Sequence, residues 1–223
     1  MNFLQICQRT AQECGVSRGT SGPVSVLSQT GEMGKIVDWC ASSYQDIQDA
    51  NPQWNFLRND FSFQTIAAVS AYLPSAVSLT EHGSWKEDSM RAYLASTSDE
   101  QELGRMTWDD MRKYRLFGPI QSGKPWEVAV KPDKSLVFYP TPDAIYTVYG
   151  EYWKRPQVMS ANSDEPVFPA QFHMLIVWGA VRYYAGDQGA AELYALADQN
   201  YRHMMRSLIA YDLPELECGG TLT

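Results

Sequence analysis

The sequence predicts an α+β protein: a helical bundle formed by N- and C-terminal helices, an inserted antiparallel β-sheet domain, and an extended C-terminal tail. Three observations predict it. Apolar residues recur at three- and four-residue steps near both ends of the chain. Residues 126–156 instead alternate in aromatic and β-branched runs broken by Pro-Asp turns. After Tyr211 all periodicity is lost. Helices at the two ends must find each other to bury their stripes, so the sheet between them becomes an insertion. The expected boundaries are 1–57 with 157–211 for the bundle, 58–156 for the β domain and 212–223 for a flexible tail.

The elements follow in order. Leu4, Cys7, Ala11 and Cys14 mark one face of a first helix, which Gly15, Gly19, Gly22 and Pro23 end. Met33, Ile36, Val37, Cys40, Tyr44 and Ile47 mark a second, with Asp38, Asp46 and Asp49 off that face. Pro52 pushes Asn51 out of helical geometry and stops it. Trp54, Phe56, Leu57, Phe61 and Phe63 then gather where the chain leaves the bundle for the sheet, and are expected to weld the two.

Phe61, Phe63 and Thr65 alternate with Ser62 and Gln64 as a strand buried on one face. "MRAYLAS" (90–96) predicts a second strand, with His82 in a loop before it. "TWDDMRKY" (107–114) predicts a short helix, Thr107 and Asp110 having capping-box spacing. "EVAV" and "SLVFY" flank the turn "KPDK", and "TPD" leads into a long strand from Ile145 to Trp153; two consecutive hairpins would make a meander. Helix returns at Phe172–Tyr184, is interrupted by Gly186 and Gly189, and resumes from about Ala190 to Tyr211. In that last helix Tyr194, Ala197, Tyr201, Met204, Leu208 and Tyr211 predict a narrow helix-packing seam. Pro214 stops it.

Catalysis finds no support. "GVSRG" (15–19) has the letters of a hydrolase nucleophile elbow, but a helix rather than a strand precedes it. His82, His173 and His203 are scattered, and Cys7, Cys14, Cys40 and Cys218 form no CxxC, so no metal or cofactor is expected. Glu87/Asp88 and Asp109/Asp110 are sequence neighbours, whose side chains point apart in any regular element. Tyr146, Tyr149, Tyr152 and Trp153 are read as core and cross-strand pairs before a stacking platform. Trp108, Asp109, Asp110, Arg112, Lys113 and Arg115 crowd both charge signs into one segment. That segment is either an exposed helix with local ion pairs or a contact patch for an identical neighbour.

Composition narrows the class. An apolar fraction of 44% and a charged fraction of 20% belong to a folded chain, not a disordered one. A net charge of −8 argues against a dedicated nucleic-acid binder, though not against a wall that DNA slides past. The start "MNFLQICQRT" reads as amphipathic helix, not a secretory signal. The longest apolar run, Met174–Val181, is too short to cross a membrane.

The strings "KIVDWC" (35–40), "WNFLRNDFSF" (54–63), "GKPWEVAVKPDKSLVFYPTPD" (123–143), "YTVYGEYWKRP" (146–156) and "FHMLIVWGAV" (172–181), in this order, resemble the tailed-bacteriophage head-to-tail adaptor proteins. These are relatives of the podophage tail tubular protein A, and the similarity spans nearly the whole chain. The resemblance implies a non-enzymatic virion protein at the neck, assembled in the host bacterial cytoplasm. It implies a ring of identical subunits, usually twelve, under the portal protein. The ring extends the DNA channel, with double-stranded DNA only as passing cargo, and gives tail proteins (a nozzle, tail-tube or completion protein) their platform. It further implies a C-terminal segment that wedges into the portal, here with Tyr211, Leu213, Pro214, Leu216 and Leu222 as anchors. Two alternatives stay open: a tail-side completion protein that never touches the portal, and a cytosolic ligand-binding β module.

Overall fold

A computed structural model of the chain describes residues 1–16 and 22–213. In chain order the elements are α1 (Phe3–Glu13), α2 (Gly31–Asp49), β1 (Arg58–Gln64), β2 (Ala71–Tyr72), β3 (His82–Leu94), β4 (Asp99–Glu102) and β5 (Gly104–Arg105). Next come α3 (Trp108–Asp110), a π turn (Met111–Arg115), β6 (Ser122–Gly123), β7 (Glu127–Val130) and β8 (Leu136–Tyr139). β9 (Thr141–Pro142), β10 (Thr147–Lys154), α4 (Met174–Gln188) and α5 (Ala191–Asp212) complete the set. The fold is α+β, with helices at both ends and largely antiparallel sheets between. It divides into two compact units, Met1–Phe56 with the chain from Pro156 onward, and Leu57–Arg155.

In the helical unit, α1 starts at a reciprocal cap: the Asn2 side chain accepts from the Gln5 N–H, and the Gln5 side chain accepts from the Asn2 N–H. Its buried face is Phe3, Ile6, Cys7, Thr10 and Ala11. α4 is the central helix, packed against α1, α2 and α5. It buries Leu175, Ile176, Val177, Gly179, Ala180, Val181 and Ala185, covering most of its circumference, which explains its weak amphipathicity. Gly179 brings α2 close: a Cβ there would lie 2.0 Å from the Ser43 Oγ, which donates to the Ile176 carbonyl at 3.1 Å. α4 runs through Gly186, contrary to expectation; only Gly189, in the left-handed region at φ +65°, ends it. A glycine tolerated inside a helix costs about 1 kcal/mol, which tertiary packing outweighs.

The loop after Pro156 is tied to α2. Gln157 and Gln48 exchange bonds, the Gln157 N–H donating to the Gln48 Oε1 at 2.8 Å and the Gln48 Nε2 to the Gln157 carbonyl at 3.0 Å. The Tyr44 hydroxyl donates to the Gln157 Oε1 at 2.6 Å and accepts from the Val167 N–H at 3.0 Å.

The β unit holds two four-stranded sheets, ordered β1-β10-β3-β4 and β2-β8-β7-β5. One core serves both: Phe61, Trp85, Met90, Ala92, Val148 and Tyr152 come from the first, and Tyr72, Val128, Leu136 and Phe138 from the second. β7 and β8 form the expected hairpin, Glu127 opposite Tyr139. The expected meander is absent, because β10 pairs with β1 and β3 in the other sheet. Pro140 and Pro142 lack the N–H groups a third ladder beside β8 would need, and the chain crosses between sheets there. β3 begins at His82, eight residues before the expected strand, so His82 is a buried strand residue, not a loop residue.

Candidate assembly surfaces

Among the described residues, no cluster of His, Cys, Asp or Glu is placed to hold a metal, and no helix is long and apolar enough to cross a membrane.

The mixed-charge segment is built on the outer face of the second sheet. Met111 is fully buried against Ala129 and Tyr139, with Met106 and Trp108 beside it. Thr107 caps α3, its Oγ1 accepting from the Asp110 N–H at 3.2 Å and donating to the Asp110 Oδ2 at 2.7 Å. The Arg115 guanidinium donates from Nε and Nη2 to the two Glu127 oxygens at 2.7 and 2.9 Å. It also lies 4.8 Å from the Trp126 ring centre and 5.4 Å from that of Tyr139. The bond from Glu127 raises the Arg115 pKa further above its ordinary value. Arg115 is thus a structural clamp. Asp109, Arg112 and Lys113 are exposed, and none forms an ion pair with a described residue; the Lys113 ammonium sits 4.8 Å from the Tyr114 ring centre.

Beyond the clamp, Tyr114 is 60% exposed, Phe117 89% and Ile120 86%. None was singled out from sequence, although apolar residues on both sides of a Gly-Pro pair are a readable sign of a displayed loop. The loop is held at both ends. The Leu116 N–H donates to the Met111 carbonyl at 3.0 Å, and the Gln121 carbonyl accepts from the Thr141 N–H at 2.9 Å. The Tyr139 hydroxyl donates to the Gln121 Oε1 at 2.6 Å.

The portal-docking residues are split. Pro214, Leu216 and Leu222 lie outside the described residues. Tyr211 is 62% exposed on the last turn of α5, with its ring 5.5 Å from Phe172, and Leu213 is half-buried. Between them Asp212 is buried and accepts the Asn55 N–H at 2.7 Å. Burial raises its carboxyl pKa, and bonds from the Asn55 and Phe56 amides oppose that rise. Asp212 was not anticipated; an acid at a helix C-terminus runs against the macrodipole, which could have marked it as tethered.

The aromatic residues read as a joint serve two cores. Trp54 is fully buried in the helical unit, its Nε1 donating to the Ile47 carbonyl at 3.1 Å and its ring stacked 5.3 Å from Phe56. Phe56 continues to Phe168 at 5.7 Å. Phe61 and Phe63 belong to the β unit, where Phe61 meets Trp85 at 4.8 Å and Phe63 meets Tyr72 at 5.1 Å. Leu57, which begins the β unit, is buried.

Compared with protein-family models, residues 1–215 match the family described as SU10 adaptor protein. That match makes no link to the podophage tail tubular protein A. Among curated proteins none matches the chain.

Proposed function

The chain belongs to the SU10 adaptor protein family and is a structural adaptor of a bacteriophage, and from that premise we propose that it closes into a ring beneath the portal. In this reading the ring extends the DNA channel and gives tail proteins their seat. The observation that carries it is the family match over residues 1–215. The displayed Phe117–Ile120 loop and the uncompensated Arg112 and Lys113 support a role in contact with other chains. The ring is taken to hold twelve copies, to assemble in the host cytoplasm, and to pass DNA along a wall of net negative charge. The C-terminal anchors would engage the portal, and Trp54, Phe56, Leu57, Phe61 and Phe63 would serve as the joint at which the chain passes from the helical unit to the β unit.

Co-expression with the portal protein of the same genome, followed by sizing and negative-stain imaging, tests this. The full chain is compared with one ending at Leu213, which keeps Asp212 and its bond to Asn55. A stacked ring formed only by the full chain is the expected result. A chain that ignores the portal in both versions would turn the reading toward a tail-side completion protein.

A further inference from the structure

The end of α5 is fastened to a segment distant in sequence. Asp212 is 7% exposed, and its Oδ2 accepts the Asn55 N–H at 2.7 Å, across 157 positions of chain. The Phe56 N–H donates to the same carboxylate. The Asn55 Nδ2 donates in turn to the Asp212 backbone carbonyl. The Asn55 and Phe56 amides open the short 3-10 turn Asn55–Leu57, so the turn itself gives them no acceptor. One side chain of α5 supplies it.

The needs of α5 do not explain this acid. A carboxylate at a helix C-terminus faces the negative end of the dipole, and burial adds a desolvation cost. The Leu213 N–H already closes the last turn on the Ile209 carbonyl at 3.0 Å. The Asp212 side chain is spent on Asn55 and Phe56 instead.

The anchor point is rigid. Phe56 stacks 5.3 Å from Trp54 and lies 5.7 Å from Phe168, and the Trp54 Nε1 donates to the Ile47 carbonyl at 3.1 Å. The end of α5 has little else to hold it. The helix buries only Ala197, Leu208 and Asp212, and Asp212 is the one in its last turn. Residues 214–223, which carry the proposed anchors Pro214, Leu216 and Leu222, follow one residue later.

We propose that Asp212 is a positioning residue for portal docking: clasped to Asn55 and Phe56, it fixes the point at which residues 214–223 leave the helical unit. This rests on the adaptor reading, in which that segment engages the portal. A segment whose root is already fixed pays less of the ordering cost when it binds. Freeing about one backbone residue at the root should weaken portal binding roughly five- to thirtyfold.

The test is the affinity of the full chain for the portal protein of the same genome, measured below the Tm of every variant. Asp212→Ala should lose roughly five- to thirtyfold. Asn55→Ala, which removes only the bond to the Asp212 carbonyl, should lose at least about twofold. Their double variant should lose less than the two single losses combined, because both loosen one clasp. Asp212→Asn keeps an oxygen acceptor of the same shape and should recover part of the Asp212→Ala loss. Asn55 is exposed, so Asn55→Ala carries the test even if Asp212→Ala fails to fold. Unchanged affinity in Asn55→Ala would overturn the inference, since Asp212 would then act without its clasp. Strictly additive losses, or no recovery in Asp212→Asn, would overturn it as well, by making Asp212 a direct portal contact. A parent chain that binds the portal no better than these variants removes the clasp and leaves the adaptor reading standing. A parent chain that never binds the portal removes both.

Discussion

His82 opens β3 with 6% of its surface exposed, its ring 4.2 Å from that of Trp85 and stacked on Tyr152. Neither ring nitrogen meets a hydrogen-bond partner among the described residues. Burial first, then the nearby Lys134 and Arg155 charges, push its pKa down from 6.5 to about 4. The unfolded chain thus takes up a proton that the folded chain refuses. The stability this confers is complete above pH 6.5 and is lost as pH falls toward 4. Between pH 7 and 4.5 the loss should be about 2–3 kcal/mol. His82→Phe keeps the aromatic contacts and should flatten the pH dependence by that amount, read from urea midpoints of the full chain. Equal pH slopes in variant and parent would sink the argument. Nothing in the sequence separated His82 from a loop histidine, since its burial depends on Trp85 and Tyr152, the latter 70 positions away.

At the scale of elements, sequence periodicity failed where two neighbours shared the work of one strand. β3 buries His82, Trp85, Met90 and Ala92, at irregular steps, because its register against β10 shifts twice. Its polar residues have partners on other strands: Lys86 donates to Glu151 at 2.9 Å, and Arg105 to Glu87 at 2.8 Å. A reader of local sequence meets only charge. α5 shows the opposite error. Ala197 and Leu208 are buried as the seam predicts, but Tyr194 and Tyr211 at its ends are 43% and 62% exposed. Both lie at the margin of the packed seam: the Arg182 guanidinium of α4 sits 6.0 Å from the Tyr194 ring centre, and the Tyr211 ring 5.5 Å from that of Phe172. Closeness between helices is likewise a tertiary matter. Gly179→Ala would force its methyl into Ser43 and should cost about 1–3 kcal/mol, seen as a lower Tm. Adding Ser43→Gly should recover part of that loss; no recovery would mean the strain lies elsewhere.

For the whole molecule, the mixed-charge segment splits into a clamped half and a free half. Arg112→Glu with Lys113→Glu should leave Tm unchanged, since neither residue forms an ion pair with a described residue, and should weaken ring formation on sizing columns. Unchanged assembly would remove this segment from the contact. Local pattern sufficed for the terminal helices, the β7–β8 hairpin and the α+β class, because a helix stripe or a short Pro-Asp turn is encoded within a few neighbouring positions. The family was readable too, in strings such as "WNFLRNDFSF" and "YTVYGEYWKRP". The partition of strands between two sheets was not, because the core they share forms from pairs as distant as Phe63 and Phe138. Nor was the identity of the displayed residues. Phe117 and Phe138 are the same side chain in sequence; one is 89% exposed and the other fully buried, and only the surrounding chain sets which surface faces water.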